Sequence, residues 1–403
     1  MSAQRLHRVA WLPGDGVGPE VMAAARLVLD RLNVPLELIP GEIGWLCWCR
    51  EGDALPARTL RLLDETDCAL LGAITSKPAE DAQRELRPEL RGGGYVYESP
   101  IVRLRQTLML HTNLRPCKAI PGNPRNARDD IDITVFRDNT EGLYVGLEWH
   151  PLPQAVRDAM SRHGPRMARF EAQSNDDLAV SVRLMSRSAC RRIARRAFEY
   201  AAQRGFSAVT VVDKPNVLRA TGGLMLAECR RVAAEFSTIE LQERNIDAMC
   251  MWLIKNPQDY RVIVAENLFG DILSDLAAEL TGGMGVAASA NLGDDYALFE
   301  PIHGSAPKYA GRDLVNPLAM LMAVKLMLEW LGELEAAVAL AGAVETVVAE
   351  GRVRSRDMGG ASSTTELAAA VAEALSSILH PIRDSGSDSG DFAASPSPNR
   401  CST

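Results

Sequence analysis

Three short polar runs carry residue types suited to chemistry on an anionic substrate. They are Asp213-Lys214-Pro215-Asn216, Arg137-Asp138-Asn139-Thr140-Glu141-Gly142-Leu143-Tyr144, and Glu266-Asn267-Leu268-Phe269-Gly270-Asp271, the last leading on to Asp275. Each follows an apolar stretch that reads as a strand, and open α/β sheets hold their ligands beyond strand ends. One polar strand end is ordinary, but three of them together with a glycine-rich turn point to a site. Asp271 and Asp275 are four apart in a helical pattern, so both carboxylates face the same way. A divalent cation relieves their repulsion, and hard oxygen ligands suit Mg²⁺ or Mn²⁺. A solvated acidic helix start, which the helix dipole favours for Asp271, fits the spacing equally well. Arg105, Arg115 and Arg137 lie in or beside apolar segments, and arginine is the natural bidentate partner of carboxylates. The loop from Glu300 through Pro301, Ile302, His303, Gly304, Ser305, Ala306, Pro307, Lys308 and Tyr309 to Gly311 combines small residues with a histidine, a lysine and a tyrosine. Such a loop can hold a phosphate-bearing nucleotide. The turn Gly14-Asp15-Gly16-Val17-Gly18-Pro19 lacks the GxGxxG spacing, which speaks against a Rossmann fingerprint.

The elements that must position these residues alternate. Apolar or β-branched runs at 7–12, 68–71, 131–136, 208–212 and 262–265 read as strands, and 20–32 reads as an amphipathic helix. Val182, Met185, Ala189, Ile193, Ala197 and Tyr200 form one stripe, which predicts a helix over 182–200. The alternation is that of a doubly wound α/β protein, and 403 residues suffice for one large or two medium domains. The apolar stretch 318–331 is interrupted by Lys325 and Glu329, so it reads as a buried helix rather than a membrane span. Residues 383–403, rich in Ser, Asp and Pro, are expected to be a disordered tail.

The net charge of −8 speaks against a nucleic-acid or anionic-membrane partner. The eight cysteines have no regular spacing, and positions 1–11 carry no signal-peptide core, which together suggest reduced thiols in a cytoplasmic protein. Only six of the 44 cationic residues are lysines: Lys77, Lys118, Lys214, Lys255, Lys308 and Lys325. A general bias to arginine accounts for most of this, so a position that keeps lysine merits attention.

Seven stretches closely resemble the isocitrate/isopropylmalate dehydrogenase family, which comprises metal-dependent β-decarboxylating dehydrogenases. These are PGDGVGPEV from Pro13, LRQTLMLHTNLRP from Leu104, FRDNTEGLYVGLEW from Phe136, VDKPNVL from Val212, NIDAMCMWLIKNP from Asn245, ENLFGDILSDLAAELTGGMG from Glu266 and FEPIHGSAPKYAG from Phe299. They run in order from about residue 7 to about residue 375. The resemblance implies an isopropylmalate dehydrogenase-like two-domain α/β sandwich, not a Rossmann fold. On that pattern a large, cofactor-side domain comprises 1–110 and 282–380. A small domain spans 111–281 and carries a dimer clasp at about 145–180, and a homodimer shares its active sites between subunits.

By matching motif positions, Arg105, Arg115 and Arg137 resemble the substrate-carboxylate clamps. Ser99 and Asn216 resemble further substrate contacts. Tyr144 resembles the proton donor, and Lys214, reaching into the partner's site, the residue assisting proton transfer. Asp247, Asp271 and Asp275 match the Mg²⁺/Mn²⁺ ligands, with Asp247 supplied in trans. Thr75, Glu300, His303, Gly304, Ser305, Ala306, Lys308, Tyr309, Asn316 and Arg356 match cofactor-binding positions. NAD-using relatives usually carry an acidic residue where this chain has Lys308, so NADP is favoured over NAD. Gly360 stands where a second phosphate-binding arginine is expected. The implied reaction is oxidative decarboxylation of isocitrate to 2-oxoglutarate. Ser99-Pro100-Ile101-Val102 departs from the isocitrate pattern towards homoisocitrate enzymes, and 3-isopropylmalate, tartrate or a phosphonate analogue of isocitrate stay open. A rival from another class is a non-catalytic regulatory subunit. Such subunits tend to lose the acid, the base or the metal ligands, whereas Tyr144, Lys214, Asp247, Asp271 and Asp275 are all present here.

Overall fold

A computed structural model describes residues 5–379. The tail expected at 383–403 lies outside the described residues. The described residues form twelve strands: β1 His7–Gly14, β2 Leu36–Pro40, β3 Cys68–Ala73, β4 Thr112–Lys118, β5 Asp132–Asp138, β6 Glu148–Trp149, β7 Val180–Ser181, β8 Ala208–Asp213, β9 Glu240–Asn245, β10 Val262–Ala265, β11 Ala288–Leu292 and β12 Ala297–Pro301. Ten of them make one sheet in the order β2-β1-β3-β12-β11-β4-β5-β10-β8-β9. Both wings of this sheet are parallel; β3, β8 and β10 are the near-continuous apolar runs expected where helices cover both faces, whereas the edge strands β2 (LELIP) and β9 (ELQERN) mix in polar residues.

The centre differs from a purely doubly wound sheet. There β12 with β11, β11 with β4 and β4 with β5 are antiparallel pairs, while β12 stays parallel to β3 and β5 to β10. Side chains alternate between the faces of a strand, and the register sets Asn113 opposite both Arg137 and Asn291, and Ser289 opposite Glu300. Asn113 and Arg115 are two apart on β4, as Ser289 and Asn291 are on β11. One face of the antiparallel centre is therefore a row of polar side chains: Arg137, Asn113, Arg115, Asn291, Ser289 and Glu300.

Helices cover the wings. Gly18–Leu29, Leu318–Trp330, Leu334–Glu350 and Thr364–Leu379 pack with β1, β3, β11 and β12 into the largest apolar core. Leu318–Trp330 is buried on nearly every side, and its two charges, Lys325 and Glu329, pair with each other at 2.9 Å. Arg187–Arg204 and Thr221–Ala233 cover one face of the second wing, and Ile246–Lys255 and Asn267–Leu280 cover the other. Among the described residues, no helix is long and apolar enough to cross a membrane.

The helix expected over 182–200 is instead Arg187–Arg204. Ser186 ends the extended approach by capping it, its hydroxyl accepting from Ala189 N at 3.2 Å, as serine does at helix starts. Val182 falls on the stripe by coincidence. It is extended, and Leu184 bridges back to Gly142. That bridge closes a long excursion holding the two-stranded β6–β7 ribbon and the helix Gln154–His163, none of whose residues is buried.

Candidate active site

The three arginines sit where the polar row meets the start of helix Asn267–Leu280. Arg137, on β5, is 2% exposed. Its Nε and Nη2 donate to Asn267 Oδ1 at 3.0 and 2.8 Å, and Nη1 pairs with Asp271. Arg115, on β4, donates through Nε to Asn113 Oδ1 at 2.7 Å and through Nη1 to Ser274 Oγ at 2.7 Å. The same Nη1 lies 3.2 Å from Asp271 and 3.1 Å from Asp275. Arg105, at the end of helix Pro100–Thr107, donates to Asn291 Oδ1 at 3.0 Å and to Glu300 at 3.3 Å. Tyr144 stands on a short turn between Gly142 and Gly146, its hydroxyl donating to Asp271 Oδ2 at 2.7 Å and its ring under the Arg137 guanidinium.

This crowding moves the titrations apart. Burial, reinforced by Arg115, lowers Arg137 to about 10. Burial works to raise Asp271, but Arg137, Arg115 and the Tyr144 hydroxyl outweigh it and hold the carboxyl below the usual range. Asp275, further from Arg137, is raised by burial against the pull of Arg115. Burial and the bond to Asp271 raise the Tyr144 phenol, so it is protonated at neutral pH.

The chain brings only part of the expected metal set together. Asp271 and Asp275 share Arg115, whereas Asp247, at the start of helix Ile246–Lys255, pairs with Lys214 just beyond β8. Among the described residues, no three His, Cys, Asp or Glu side chains come together to hold a metal. Two anionic, hard oxygen donors fit a divalent cation, with the remaining position open to a residue of another chain. Lys214 is half-buried beside a carboxylate, not among cations, and Asn216 is exposed on the same turn.

A cleft runs from Arg105 and Arg115, past Ile74, Ile101 and Ser289, to Ile302, His303 and Gly304. Arg105 and Arg115 therefore share one opening with the His303–Gly304 loop. Ser99 precedes helix Pro100–Thr107 without a side-chain cap bond, and Glu98 beside it is exposed. Thr75 locks the end of β3 to the loop: its amide donates to Asp15 at 2.9 Å, and its hydroxyl lies 2.6 Å from Ser305 Oγ. The glycine-rich turn joins them, with Val17 N donating to Ser305 O at 2.8 Å. It braces the loop rather than forming a separate phosphate cradle. His303 Nδ1 lies 3.0 Å from Gly304 O, and burial lowers the ring's pKa. Its Nε2 is buried without a partner among the described residues. Ala306, Lys308, Tyr309 and Arg356 are half-buried or exposed, with the Lys308 ammonium 4.9 Å over the Tyr309 ring.

Two of the expected cofactor positions also have partners within the chain. Glu300 belongs with the arginines, accepting from Asn291 Nδ2 at 2.7 Å as well as from Arg105. Asn316 spends its oxygen on Leu318 N at 3.0 Å and one amide hydrogen on Asp357 at 3.0 Å, which leaves one hydrogen for a ligand. Gly360 cannot carry an arginine on this backbone, because a Cβ there would overlap the Arg354 carbonyl. Sequence reasoning missed the neutral side chains that carry the arginines: Asn113, Asn267, Ser274 and above all Asn291. Asn291 Oδ1 accepts from Arg105, Asn113 and Asn139. The available signal was alternation, since Asn113 stands two residues before Arg115.

A family model described as isocitrate/isopropylmalate dehydrogenase matches residues 8–371. Protein DlpA of Legionella pneumophila is 41% identical over 91% of this chain, and the match spans 58% of that protein's length. The 3-isopropylmalate dehydrogenase of Methanothermobacter thermautotrophicus is 40% identical over 91% of this chain and 98% of its own. The crystal structure of isocitrate dehydrogenase from Methylococcus capsulatus superposes with a TM-score of 0.80 at 36% identity, covering 92% of this chain and all of that one.

Gly270 lets helix Asn267–Leu280 lie against β5, since a Cβ there would stand 2.7 Å from the Arg137 stem. In Gly270→Ala, the roughly 1 kcal/mol gained in helix propensity offsets part of that clash, so the fold survives. We expect kcat/KM for the acid substrate to fall about tenfold or more, equivalent to about 1.4 kcal/mol of transition-state binding. Steady-state kinetics beside a melting curve check this, and an unchanged kcat/KM would show that Arg137 does not depend on the close approach.

Proposed function

Because the chain belongs to the isocitrate/isopropylmalate dehydrogenase family, metal-dependent NAD(P)-linked decarboxylating dehydrogenases of hydroxy acids, we propose that it converts isocitrate to 2-oxoglutarate and CO₂ with reduction of NADP. The observation that carries this reading is the cluster of Arg115 and Arg137 with Asp271, Asp275 and Tyr144, joined through Arg115 to a cleft that Arg105 and Arg115 line and that continues to His303. Three arginines face Asp271, Asp275 and Glu300, so the charges already balance. A polyanionic acid then binds well only together with a divalent cation, and Asp271 and Asp275 would hold it, with Asp247 of a second subunit. When bound, the cation supplies Lewis acidity at the substrate hydroxyl and the nicotinamide accepts hydride.

The chain's own groups have separate tasks. The arginines bind and orient the carboxylates, including the one lost as CO₂. Lys214, released from Asp247 and acting in the partner's site, helps remove the hydroxyl proton through water. Tyr144, kept protonated, returns a proton to the carbon that lost CO₂. Clasp-mediated dimerisation is supported by apolar side chains exposed around these elements. Leu143, Leu147 and Leu184 lie at the clasp base, Met251 and Ile254 on helix Ile246–Lys255, and Ile272 beside Asp271. The domain division at 110/111 and 281/282 is supported by apolar cores whose buried residues follow it except at Ile120, which joins the first wing's core, and Ala287, which joins the second's. Seven free cysteines among the described residues agree with a cytoplasmic setting.

For the nucleotide, the orphaned His303 Nε2 offers a hydrogen bond to a base, and Lys308 with Arg356 supports the 2′-phosphate of NADP. The missing arginine at Gly360 leaves these two to do it. A second reading of the acid has its own support. Ile74 and Ile101 line the cleft beside Arg105, and apolar walls suit a longer or less polar 3-substituent, as in homoisocitrate or 3-isopropylmalate.

An absorbance assay with Mn²⁺, NAD and NADP against isocitrate, homoisocitrate, 3-isopropylmalate, tartrate and a phosphonate analogue of isocitrate should give NADP-linked turnover, fastest with isocitrate. Faster turnover of another acid replaces the substrate, and binding without turnover of any acid makes the chain a non-catalytic subunit. Lys214→Ala should lower kcat by about a hundredfold or more while the dimer still forms and binds Mn²⁺. A near-normal rate removes the lysine from the mechanism. Lys308→Asp should shift the ratio of kcat/KM values towards NAD by about tenfold or more, the worth of one charge-assisted contact. An unchanged ratio places the 2′-phosphate elsewhere.

A further inference from the structure

Arg183 lies outside the helix that periodicity assigned to it, on the return leg of the clasp excursion just after β7, and its guanidinium turns inward. Nη2 donates to Asp213 Oδ2 at 2.8 Å, Nη1 lies 3.4 Å from Asp213 Oδ1, and Nη1 also donates to Thr221 Oγ1 at 3.0 Å. Nε faces Glu266 Oε2 at 3.7 Å, and neither atom has a hydrogen-bond partner among the described residues. The guanidinium also lies over the Phe269 ring, 5.2 Å from its centroid. The Asp213 side chain is wholly buried, that of Glu266 2% exposed and that of Arg183 10% exposed.

Each carboxylate held by Arg183 in turn holds a backbone amide of a proposed site element. Asp213 Oδ1 accepts from Lys214 N at 2.6 Å, fixing the turn that presents Lys214. Glu266 Oε1 accepts from Phe269 N at 2.9 Å, capping the helix that carries Asp271 and Asp275. The residue after Arg183, Leu184, exchanges backbone hydrogen bonds of 2.8 and 3.1 Å with Gly142, two residues before Tyr144.

We propose that Arg183 is a positioning residue that keeps the Lys214 turn, the Asp271–Asp275 helix and the Tyr144 arm in register through the base of the clasp. This rests on the functional reading above, in which Tyr144, Asp271 and Asp275 serve the subunit's own site and Lys214 serves the partner's. Arg183 then ties the two half-sites of one subunit together. Arginine suits this position because different nitrogens of its planar fork meet the two carboxylates, Nη2 at Asp213 and Nε at Glu266, a spread that the single nitrogen of an ammonium lacks.

A matched control is present. Glu228 is also wholly buried and is paired with Arg187 and Arg191, but that cluster joins helices Arg187–Arg204 and Thr221–Ala233 and holds no proposed site residue. The full-length protein is compared as wild type, Arg183→Met, Arg183→Lys and Arg191→Met. Kinetics are run below each melting temperature, and amide hydrogen exchange is read over 213–216 and 267–271. Arg183→Met should lower kcat roughly tenfold to a hundredfold, with KM for the acid within about threefold because the three arginine clamps are untouched. Exchange at Lys214 and Phe269 should quicken. Arg183→Lys should fall between it and wild type, and carries the test if the methionine variant does not fold. Arg191→Met should lose stability at unchanged kcat and unchanged exchange in both segments. Normal kcat in folded Arg183→Lys, or equal exchange in the Arg183 and Arg191 variants, overturns the proposal. If wild type turns over no acid, the functional reading has failed, and the exchange comparison alone still decides the positioning.

Discussion

Burying three guanidinium groups at the middle of a sheet is the constraint on which the rest of this structure depends. Taking an ion out of water costs several kcal/mol even after relaxation, unless its donors and its charge are both answered. Here the two requirements are met by different partners. Neutral oxygens of Asn113, Asn267, Asn291 and Ser274 accept five of the hydrogen bonds. Asp271, Asp275 and Glu300 answer the charge. A purely parallel sheet with apolar strands could not supply the neutral acceptors, because its strands are apolar on both faces. The antiparallel centre can, since β4 and β11 alternate apolar and polar along their length.

The same arrangement explains why the site is prepared for an anion although the chain is net acidic. The depressed pKa of Arg137 reports a guanidinium short of solvent and crowded by a second cation. Net charge measures the exterior, whereas this pocket is governed by local geometry. The parallel wings are the rigid mounts. The clasp is the opposite case, a long excursion with little burial of its own, so its base must be fixed by something stronger than apolar contact. The Gly142–Leu184 bridge, the Glu141 carboxylate accepting from Ser186 and the buried Arg183 cluster all lie at that base.

Much of this was legible before the structure. The parallel strands β1, β3, β8 and β10 were legible because residues buried on both faces must be continuously apolar, and the shared face of Asp271 and Asp275 because of their helical spacing. The parallel edge strands β2 and β9 were not legible, since LELIP and ELQERN carry polar residues. The antiparallel centre was not. TNLRPCK and ASANL are absent from the strands named from sequence, since the polar residues that alternate inward there serve the arginines and not water. Asn291, the acceptor for three donors, is a neutral residue in a sequence full of them, and no spacing marks it. The start of helix Arg187–Arg204 was misplaced because Val182 continues a stripe by chance, while the serine that ends it gives a weaker signal. The pairing of Lys214 with Asp247 joins residues on separate strand ends, which only the β8–β9 register brings together.

The division between lysine and arginine follows the same physics. None of the six lysines is buried. Lys77 pairs with Glu85, Lys118 with Glu345 and Lys325 with Glu329, each within reach of solvent, and Lys255 and Lys308 lie over neighbouring aromatic rings. The arginines at the site, Arg105, Arg115 and Arg137, are all buried. A guanidinium is weakly hydrated, keeps its charge and offers five donors in a plane, so it can be desolvated if enough acceptors surround it. An ammonium is strongly hydrated and loses its proton when that hydration is withdrawn. A chain biased to arginine can therefore build a buried cationic floor without risking neutralisation, and must keep lysine where a proton has to move. On the reading proposed above, Lys214, half-buried beyond β8 and paired with Asp247, is the position where arginine's permanence would be a defect.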